Sequence, residues 1–253
     1  MLPKRRRQKI LDLINDRNGC SVDELADELG VSGATIRRDL GDLEERSLVE
    51  RTHGGATPPV SHGKPYETRK VYNVDQKRSI AERAVEEVRE KQVVSFDSGS
   101  TLIEIAKRVP VEASMTPITR MPSVAHELAE VGHEVYLTGG TYRTESHSCV
   151  GPWADERVQQ MNADLLFLGT DGVDEAGLTA RAMEQSQTKR ALIDNAERVV
   201  LVADHSKFGD SHAFQFASHS SVDLLVTDGA VPSAVRDGLD SAGVEIVEHT
   251  YRD

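Results

Sequence analysis

The feature that most constrains the fold is a pair of short amphipathic segments separated only by Gly30-Val31-Ser32. The first segment opens with Ser21-x-x-Glu24, a pattern that caps a helix N-terminus reciprocally, and its apolar residues recur at helical spacing. The second opens at Ser32, a favourable N-cap residue, and also carries one apolar face. We therefore expect two helices joined by a tight turn, the geometry of a helix-turn-helix, over about residues 20–39.

The outward side of the second helix carries short side chains and two adjacent cations. Thr35, Arg37 and Arg38 are left on this side when the apolar residues face the core. Such a surface suits the major groove of DNA, where arginine reads base edges and small residues allow close approach. A solvated helix face is the alternative, but a preceding helix predicted over residues 3–17 completes a three-helix unit and favours DNA binding.

A wing is predicted after the third helix. Leu48–Arg51 alternates like a strand and Thr52–Ala56 makes a tight reversal, which would place Arg51 and His53 near the DNA backbone or minor groove. An ordinary turn residue is an equally good interpretation of His53. The candidate DNA contacts are Lys4, Arg5, Arg6, Ser21, Ser32, Gly33, Ala34, Thr35, Arg37, Arg38, Arg51 and His53.

The net charge of −12 is unusual for a DNA-binding protein, but its distribution is uneven. Residues 1–57 carry only −1, so the rest of the chain carries −11. Only nine of the 30 basic residues are lysine, and this acid-rich, lysine-poor composition suggests a high-salt cytoplasm. High salt weakens phosphate contacts, so base contacts and dimer geometry become more important.

Other classes are disfavoured by the composition. No apolar run is long enough to cross a bilayer, so we expect a cytoplasmic protein with no membrane partner. Cys20 and Cys149 lie far apart and have no metal-ligand spacing. We expect neither a metal nor a cofactor.

Beyond the wing the pattern changes twice. Residues 58–75 contain three prolines and a glycine and are interpreted as a linker. From residue 76 to residue 253, helical segments alternate with short apolar strands, which predicts an α/β domain with a mostly parallel sheet. The predicted organisation is therefore a winged helix-turn-helix over residues 1–57, the linker, and a second domain over 76–253.

Ligands of open α/β sheets bind beyond the carboxyl ends of the strands, where this sequence carries glycines, hydroxyls and charges. Asp97–Thr101 follows a buried strand and opens a helix, which suits an anion, although a capped turn is the alternative. Further strands end in carboxylates for sugar hydroxyls and in a lysine for phosphate or for pairing with Asp204. The candidate residues are Asp97, Ser98, Gly99, Ser100, Thr101, Gly139, Gly140, Thr170, Asp171, Gly172 and Lys207.

These blocks, in this order, resemble the DeoR/GlpR family of bacterial and archaeal repressors. The N-terminal blocks are Ser21–Ala26, Val31-Ser32, Thr35–Leu40 and Arg51–Ala56; the later ones are Arg69, Lys77 with Ile80-Ala81, Asp97-x-Gly99-Ser100-Thr101, Gly139-Gly140, Gly169-x-Asp171-Gly172 and Asp204-x-Ser206-Lys207-Phe208. The resemblance implies a sugar-phosphate-sensing domain with a fold similar to ribose-5-phosphate isomerase and the sugar-phosphate deaminases. It adds Lys77 to the effector candidates. It also implies a homodimer or homotetramer that represses sugar or glycerol metabolism genes and leaves promoter DNA when a phosphorylated sugar binds.

One position departs from the family pattern. Where the family usually has Thr-Asn-Ser or Thr-Asn-Ala, this chain has Thr119-Arg120-Met121. Arg120 could add a bidentate phosphate contact or change which sugar fits.

An enzyme is the competing hypothesis. Asp171-Gly172-Val173-Asp174 resembles the paired carboxylates of the isomerase site, so a sugar-phosphate isomerase carrying a DNA-binding domain is possible. The isomerase's later glycine-rich stretch is not evident, since Gly177–Arg181 has only one glycine. We therefore expect a regulator rather than an enzyme.

Overall fold

The computed structural model describes residues 2–17, 19–45, 48–57 and 66–249. They form two compact units that divide between Val74 and Asp75, and each unit is described by itself below. None of the described helices is long and apolar enough to cross a membrane.

The described residues of the N-terminal unit up to Thr57 form three helices and a small antiparallel sheet. Its elements are α1 (Pro3–Asp16), β1 (Cys20–Ser21), α2 (Val22–Leu29), α3 (Gly33–Glu45), β2 (Glu50–Arg51) and β3 (Gly55–Thr57). The sheet order is β1-β3-β2, so a strand before α2 joins the predicted wing. The helix-turn-helix and the wing are therefore confirmed, and the wing has a third strand that the sequence did not indicate.

Local signals fix the boundaries of α2. The Ser21 hydroxyl accepts from the Glu24 amide at 3.1 Å, while Glu24 Oε2 accepts from the Ser21 amide at 2.7 Å. At the other end, Gly30 has a φ of 62°, the left-handed conformation that glycine adopts without strain. The predicted capping box and the glycine stop are thus both present.

The close approach of β1 and β3 depends on a glycine. A Cβ at Gly55 would overlap the carbonyl oxygen of Cys20, so no other residue fits there without separating the strands. This contact fixes the base of the wing against the start of α2.

A helix occupies part of the predicted linker. Residues 58–65 lie outside the described residues, but Tyr66–Val71 form α4, with Tyr66 buried. Val71 packs against the apolar core of the N-terminal unit, and its carbonyl accepts from Gln8 Nε2 at 2.9 Å. Residues 66–71 are therefore an ordered part of that unit rather than a linker, because they bury an aromatic ring and an apolar side chain.

The second unit is an α/β domain. Its helices are α5 (Val74–Ala84), α6 (Ser100–Ala106), α7 (Pro122–Glu130), α8 (Pro152–Gln159), α9 (Met183–Asp194) and α10 (Ser233–Ser241). Its strands are β4 (Val93–Phe96), β5 (Thr116–Thr119), β6 (Tyr136–Leu137), β7 (Thr141–Arg143), β8 (Ser148–Val150), β9 (Leu165–Leu168), β10 (Gly172–Asp174), β11 (Gly177–Ala180), β12 (Val199–Val202), β13 (Phe214–Ala217), β14 (Leu224–Thr227) and β15 (Glu245–Glu248).

Seven of these strands form the predicted sheet, in the order β15-β14-β12-β9-β4-β5-β6 and with every pair parallel. All residues of β9, β12 and β14 are buried, as expected where helices cover both faces. The chain first builds β4, β5 and β6 in one direction and then returns to β9 on the other side of β4. This reversal is a topological switch point, where a crevice opens beyond the strand ends.

Two antiparallel additions were not predicted. β7 and β8 form a hairpin, and β10, β11 and β13 form a three-stranded sheet. The hairpin begins after Gly140, whose φ of 111° and contact with the Val150 carbonyl leave no room for a side chain. Both additions follow strands that end at the carboxyl edge of the large sheet.

Candidate functional site

The recognition helix α3 presents its arginines outward. Ile36 and Leu40 are fully buried, while Arg37 and Arg38 are exposed and make no ion pair or hydrogen bond with any described residue. The Thr35 amide donates to the Ser32 hydroxyl at 3.3 Å, so Ser32 caps the helix. A helix held in this way can offer both guanidinium groups to DNA.

The guanidinium of Arg37 lies close to Gly33. The guanidinium Nη1 lies 3.5 Å from the position that a Cβ on Gly33 would take. This is an ordinary van der Waals distance, and it places the Arg37 side chain at the N-terminal end of α3, the end that enters the groove in this class of motif.

The basic start of α1 is divided between two roles. Arg5 is exposed, whereas Arg6 is 12% exposed and its Nε lies 2.5 Å from Asp39 Oδ2. Arg7 Nε donates to the other Asp39 oxygen at 3.0 Å. Burial alone would raise the pKa of Asp39, but hydrogen bonds from Arg6 and Arg7 lower it below its usual value. Arg6 and Arg7 thus tie α1 to α3, while the Lys4 side chain lies outside the described structure.

The remaining candidates of this unit lie at its surface. Arg51 and His53 are exposed on the wing, and Arg51 Nη1 lies 3.9 Å from Glu44 Oε2. Ala34 is exposed on α3, and Ser21 is partly exposed but engaged as the cap of α2.

At the switch point of the second unit, a buried carboxylate holds two cations. Asp97, directly after β4, accepts from Arg120 Nε at 2.8 Å and forms a short ion pair with Lys189 Nζ. The Gly169 amide, directly after β9, donates to Asp97 Oδ2 at 3.2 Å, and its carbonyl accepts from Lys189 at 2.7 Å. The three charged side chains are 0–4% exposed.

The electrostatics of this cluster keep Asp97 ionised. Burial alone would raise the pKa of Asp97, but the charges of Lys189 and Arg120 lower it to about 2. Burial lowers the pKa of Lys189 despite the nearby Asp97 carboxylate. Within this cluster two cations share one carboxylate, which leaves one excess positive charge, and the Asp171 carboxylate also acts on Lys189.

Two of the three guanidinium nitrogens of Arg120 donate hydrogen bonds to other residues of the protein. Besides Asp97, its Nη1 contacts the Ser148 hydroxyl at 3.3 Å and the Cys149 carbonyl at 3.4 Å, both on β8. Only Nη2 has no acceptor among the described residues, although it is buried. The bidentate phosphate contact expected of Arg120 is therefore not available in this arrangement.

The loop after Asp97 lies beside this cluster. Ser98 and Ser100 are partly exposed, and Thr101 is buried in the first turn of α6. Gly99 has a φ of 151°, and its amide faces the thioether of Met121 at 3.2 Å. The hydroxyls of Ser98 and Ser100 thus border the crevice. The Gly99 amide, which was expected to contact an anion, donates instead to the thioether of Met121.

The two carboxylates of the isomerase-like motif are used separately. Asp171 accepts from the Arg181 amide at 3.2 Å, while Asp174 accepts from the amides of Ala176 and Gly177 at 2.8 and 3.1 Å. Asp174 therefore closes the β10–β11 turn, an arrangement that leaves it poorly placed for proton transfer.

Comparison with known proteins gives matches along the whole chain. A model of the DeoR-like helix-turn-helix domain matches residues 6–61, and one of the DeoR C terminal sensor domain matches residues 72–229, more than half of the chain. The chain is 46% identical to the HTH-type transcriptional regulator GlpR of Haloferax volcanii, over 100% of both chains. It belongs to the DeoR family of transcriptional regulators.

Other similarities are more distant. The chain is 32% identical to the glycerol-3-phosphate regulon repressor of Escherichia coli, over 93% of this chain and 94% of that one. Among solved structures, ribose 5-phosphate isomerase A of Methanocaldococcus jannaschii matches 54% of this chain and 55% of its own, with a TM-score of 0.40 and 19% identity.

In this DeoR-family chain the other predicted effector residues lie at several strand ends. Gly139 and Gly140 follow β6 with positive φ, and the Thr170 hydroxyl donates to the Gly172 carbonyl at 2.8 Å. Lys207 is partly exposed in a short 3₁₀ turn after β12, where the Ser206 amide donates to Asp204. Lys77 is buried on α5.

Sequence reasoning missed Lys189. It lies on the buried face of α9, three positions from both Ser186 and Leu192. A lysine at helical spacing with buried positions was the available signal, because such a cation requires a buried partner. Arg181, which borders Asp171, was also missed.

Proposed function

We propose that this chain is a transcriptional repressor of sugar or glycerol metabolism genes, released from promoter DNA by a phosphorylated sugar. The observation that carries the proposal is the pairing, in one chain, of two uncommitted arginines on a recognition helix with an excess buried positive charge at a sheet switch point. The names of the relatives from Haloferax volcanii and Escherichia coli support the regulatory class.

The proposed DNA contacts are ranked by whether each side chain is exposed and has no partner among the described residues. Arg37, Arg38 and Arg5 are exposed and unpaired among described residues, so they are the strongest candidates. The wing contributes Arg51 and His53. Arg6 acts mainly by holding α1 against α3. One such unit reads a single half-site, so we propose a homodimer or homotetramer on repeated half-sites.

For the effector, we propose that the phosphate binds at the loop Ser98–Thr101 and that the sugar hydroxyls face Asp171 and the glycine-rich strand ends. Lys207 supplies a cation at the next strand. Asp97 acts on the ligand indirectly, since its oxygens are taken by protein donors. Release of DNA requires that the ligand bind the DNA-free form more tightly than the bound form.

The DNA part is tested by measuring the affinity of the full chain for operators selected from random duplexes. Arg37→Ala should lose about 1–3 kcal/mol of specific binding if Arg37 contacts a base edge. Arg17→Ala is the matched control, since Arg17 is an exposed arginine of the same unit paired with Glu28. Equal affinities for wild type and Arg37→Ala at matched salt would overturn the recognition-helix assignment.

The sensor part is tested by DNA release. Ser100→Ala combined with Lys207→Ala should leave operator binding unchanged but abolish release by the sugar phosphate that releases wild type. A panel of fructose 1-phosphate, fructose 6-phosphate and glycerol 3-phosphate identifies that ligand through the rise in melting temperature that binding to the folded state produces. Release of the double variant at wild-type ligand concentrations would remove the proposed phosphate site.

A further inference from the structure

Two buried guanidinium nitrogens near the switch point have no acceptor among the residues that the structure describes. They are Arg120 Nη2 and Arg181 Nε. Buried donors are almost always satisfied, so each of these two nitrogens needs an acceptor that the described residues do not supply.

The two arginines belong to opposite sides of the crevice. Arg120 follows β5, next to β4 in the sheet, and is wholly buried. Arg181 follows β11, is 24% exposed, and lies beside Asp171 at the end of β9, with Nη1 3.9 Å from Asp171 Oδ1. The Arg181 side chain is therefore partly open to solvent, although its Nε is buried.

The local charge favours an anion on the Arg181 side. Among the described residues, three cations, Arg120, Lys189 and Arg181, are coupled to the carboxylates of Asp97 and Asp171. Asp97 already holds two of the cations. Asp171 accepts from the Arg181 amide at 3.2 Å, while the guanidinium Nη1 of Arg181 lies 3.9 Å from Asp171 Oδ1. An arginine fork accepts a carboxylate or a phosphate through parallel hydrogen bonds.

We infer that the effector carries two anionic groups, and that Arg181 binds the one that is not held by the loop Ser98–Thr101. This inference rests on the proposed function, which assigns a phosphate to that loop. The second group is a carboxylate, as in a phosphorylated sugar acid, or a second phosphate; both offer the acceptor oxygens that Arg181 Nε lacks.

Matched ligand pairs test the inference by calorimetric titration of the full chain. Glucose 6-phosphate against 6-phosphogluconate adds a carboxylate, and fructose 6-phosphate against fructose 1,6-bisphosphate adds a phosphate. In at least one pair the two-anion member should bind about tenfold more tightly or better, as expected for a charge-assisted hydrogen bond. The pair that shows the difference identifies the second group.

Variants assign the effect to Arg181. Arg181→Gln should abolish the preference while leaving the affinity for the one-anion member unchanged, which also shows that the variant is folded. Arg157→Gln is the control, since it removes an exposed arginine of α8 that pairs only with Gln160 among described residues. Arg181→Lys should restore part of the preference.

Failure of this inference can be distinguished from failure of the proposed function. If one-anion sugars bind and release DNA but neither pair shows a difference, the inference is wrong and the proposed function stands. A preference that persists in Arg181→Gln equally removes Arg181 from the site. If only fructose 1-phosphate or glycerol 3-phosphate binds, the inference of two anionic groups is wrong and the proposed function stands. If none of the four sugars binds and neither of these two does, the proposed function itself fails and the inference fails with it.

Discussion

Replacing Asp97 by asparagine should lower the free energy of unfolding of the sensor domain more than the same substitution at a more exposed aspartate. Its carboxylate is 0% exposed and holds Arg120 and Lys189, so Asp97→Asn leaves two buried cations without a counter-charge. Breaking a buried ion pair on one side costs about 3–5 kcal/mol. The pKa points in the same direction: a fall from 3.8 to about 2 corresponds to roughly 2 kcal/mol of preference for the ionised form, at roughly 1.36 kcal/mol per unit.

Differential scanning calorimetry of the full chain measures this loss. The sensor-domain transition should fall by roughly 6–20 °C, since about 1 kcal/mol shifts Tm by about 2–4 °C in a domain of this size. Asp155→Asn is the control: it removes an acid from the first turn of α8, where asparagine can still accept from Thr188, and should cost less than about 1 kcal/mol. Equal shifts for the two variants would refute the reasoning. In the Asp97→Asn background, Lys189→Met should cost less than it does in wild type.

Two further perturbations follow from the same contacts. The stability that Asp97 contributes is fully present above its unfolded pKa of 3.8 and is lost as the pH falls towards about 2, so urea unfolding between pH 5 and 2.5 should show a steeper loss in wild type than in Asp97→Asn. A pH dependence unaltered by the substitution would contradict this. Gly55→Ala should abolish DNA binding and lower the Tm of the N-terminal unit, because the added Cβ overlaps the Cys20 carbonyl. Gly41→Ala is the matched control: nothing lies within 4 Å of the added methyl, and alanine in this helix should stabilise by about 0.5–1 kcal/mol. A Gly55→Ala protein that melts like Gly41→Ala would show that the β1–β3 contact is dispensable.

The sequence predicted the elements whose determinants are local. The cap at Ser21, the left-handed glycine Gly30 and the buried face of α3 all act within one or two helical turns. The parallel strands were also predictable, because a stretch such as Leu165–Leu168 is apolar throughout and is bounded by a glycine. Seven such strands with helices between them allow few arrangements other than the observed sheet.

The antiparallel additions were not predictable in the same way. β7 and β8 have three residues each, and β13 joins β11 from a segment much later in the chain. Strands this short carry little alternation, and their pairing depends on glycine conformations and on the large sheet being in place. The ordered helix α4 was missed for a related reason, since the prolines before it dominate the local composition.

The charged clusters show most clearly what could not be predicted from the sequence. Nothing near Asp97 in the sequence indicates Lys189, 92 positions later, as its partner. Arg120, which departs from the family pattern, was predicted to contact the ligand, yet it forms three hydrogen bonds with other residues of the protein. A residue type gives the chemistry that is possible, whereas the fold decides whether that chemistry is used internally or offered to a ligand.

Asp39 and Asp97 make the same point in the two units. Each is a buried carboxylate that holds two cations distant from it in the sequence: Asp39 holds Arg6 and Arg7 of α1, and Asp97 holds Arg120 and Lys189. In the N-terminal unit Arg7 also pairs with Asp42, so two carboxylates neutralise two charges at the basic start of α1. In the second unit the pairing at Asp97 leaves one excess positive charge, although the formal charge of that part of the chain is strongly negative. The net charge of a unit therefore does not determine which ligand its site accepts. That depends on which cations the buried carboxylates have already neutralised.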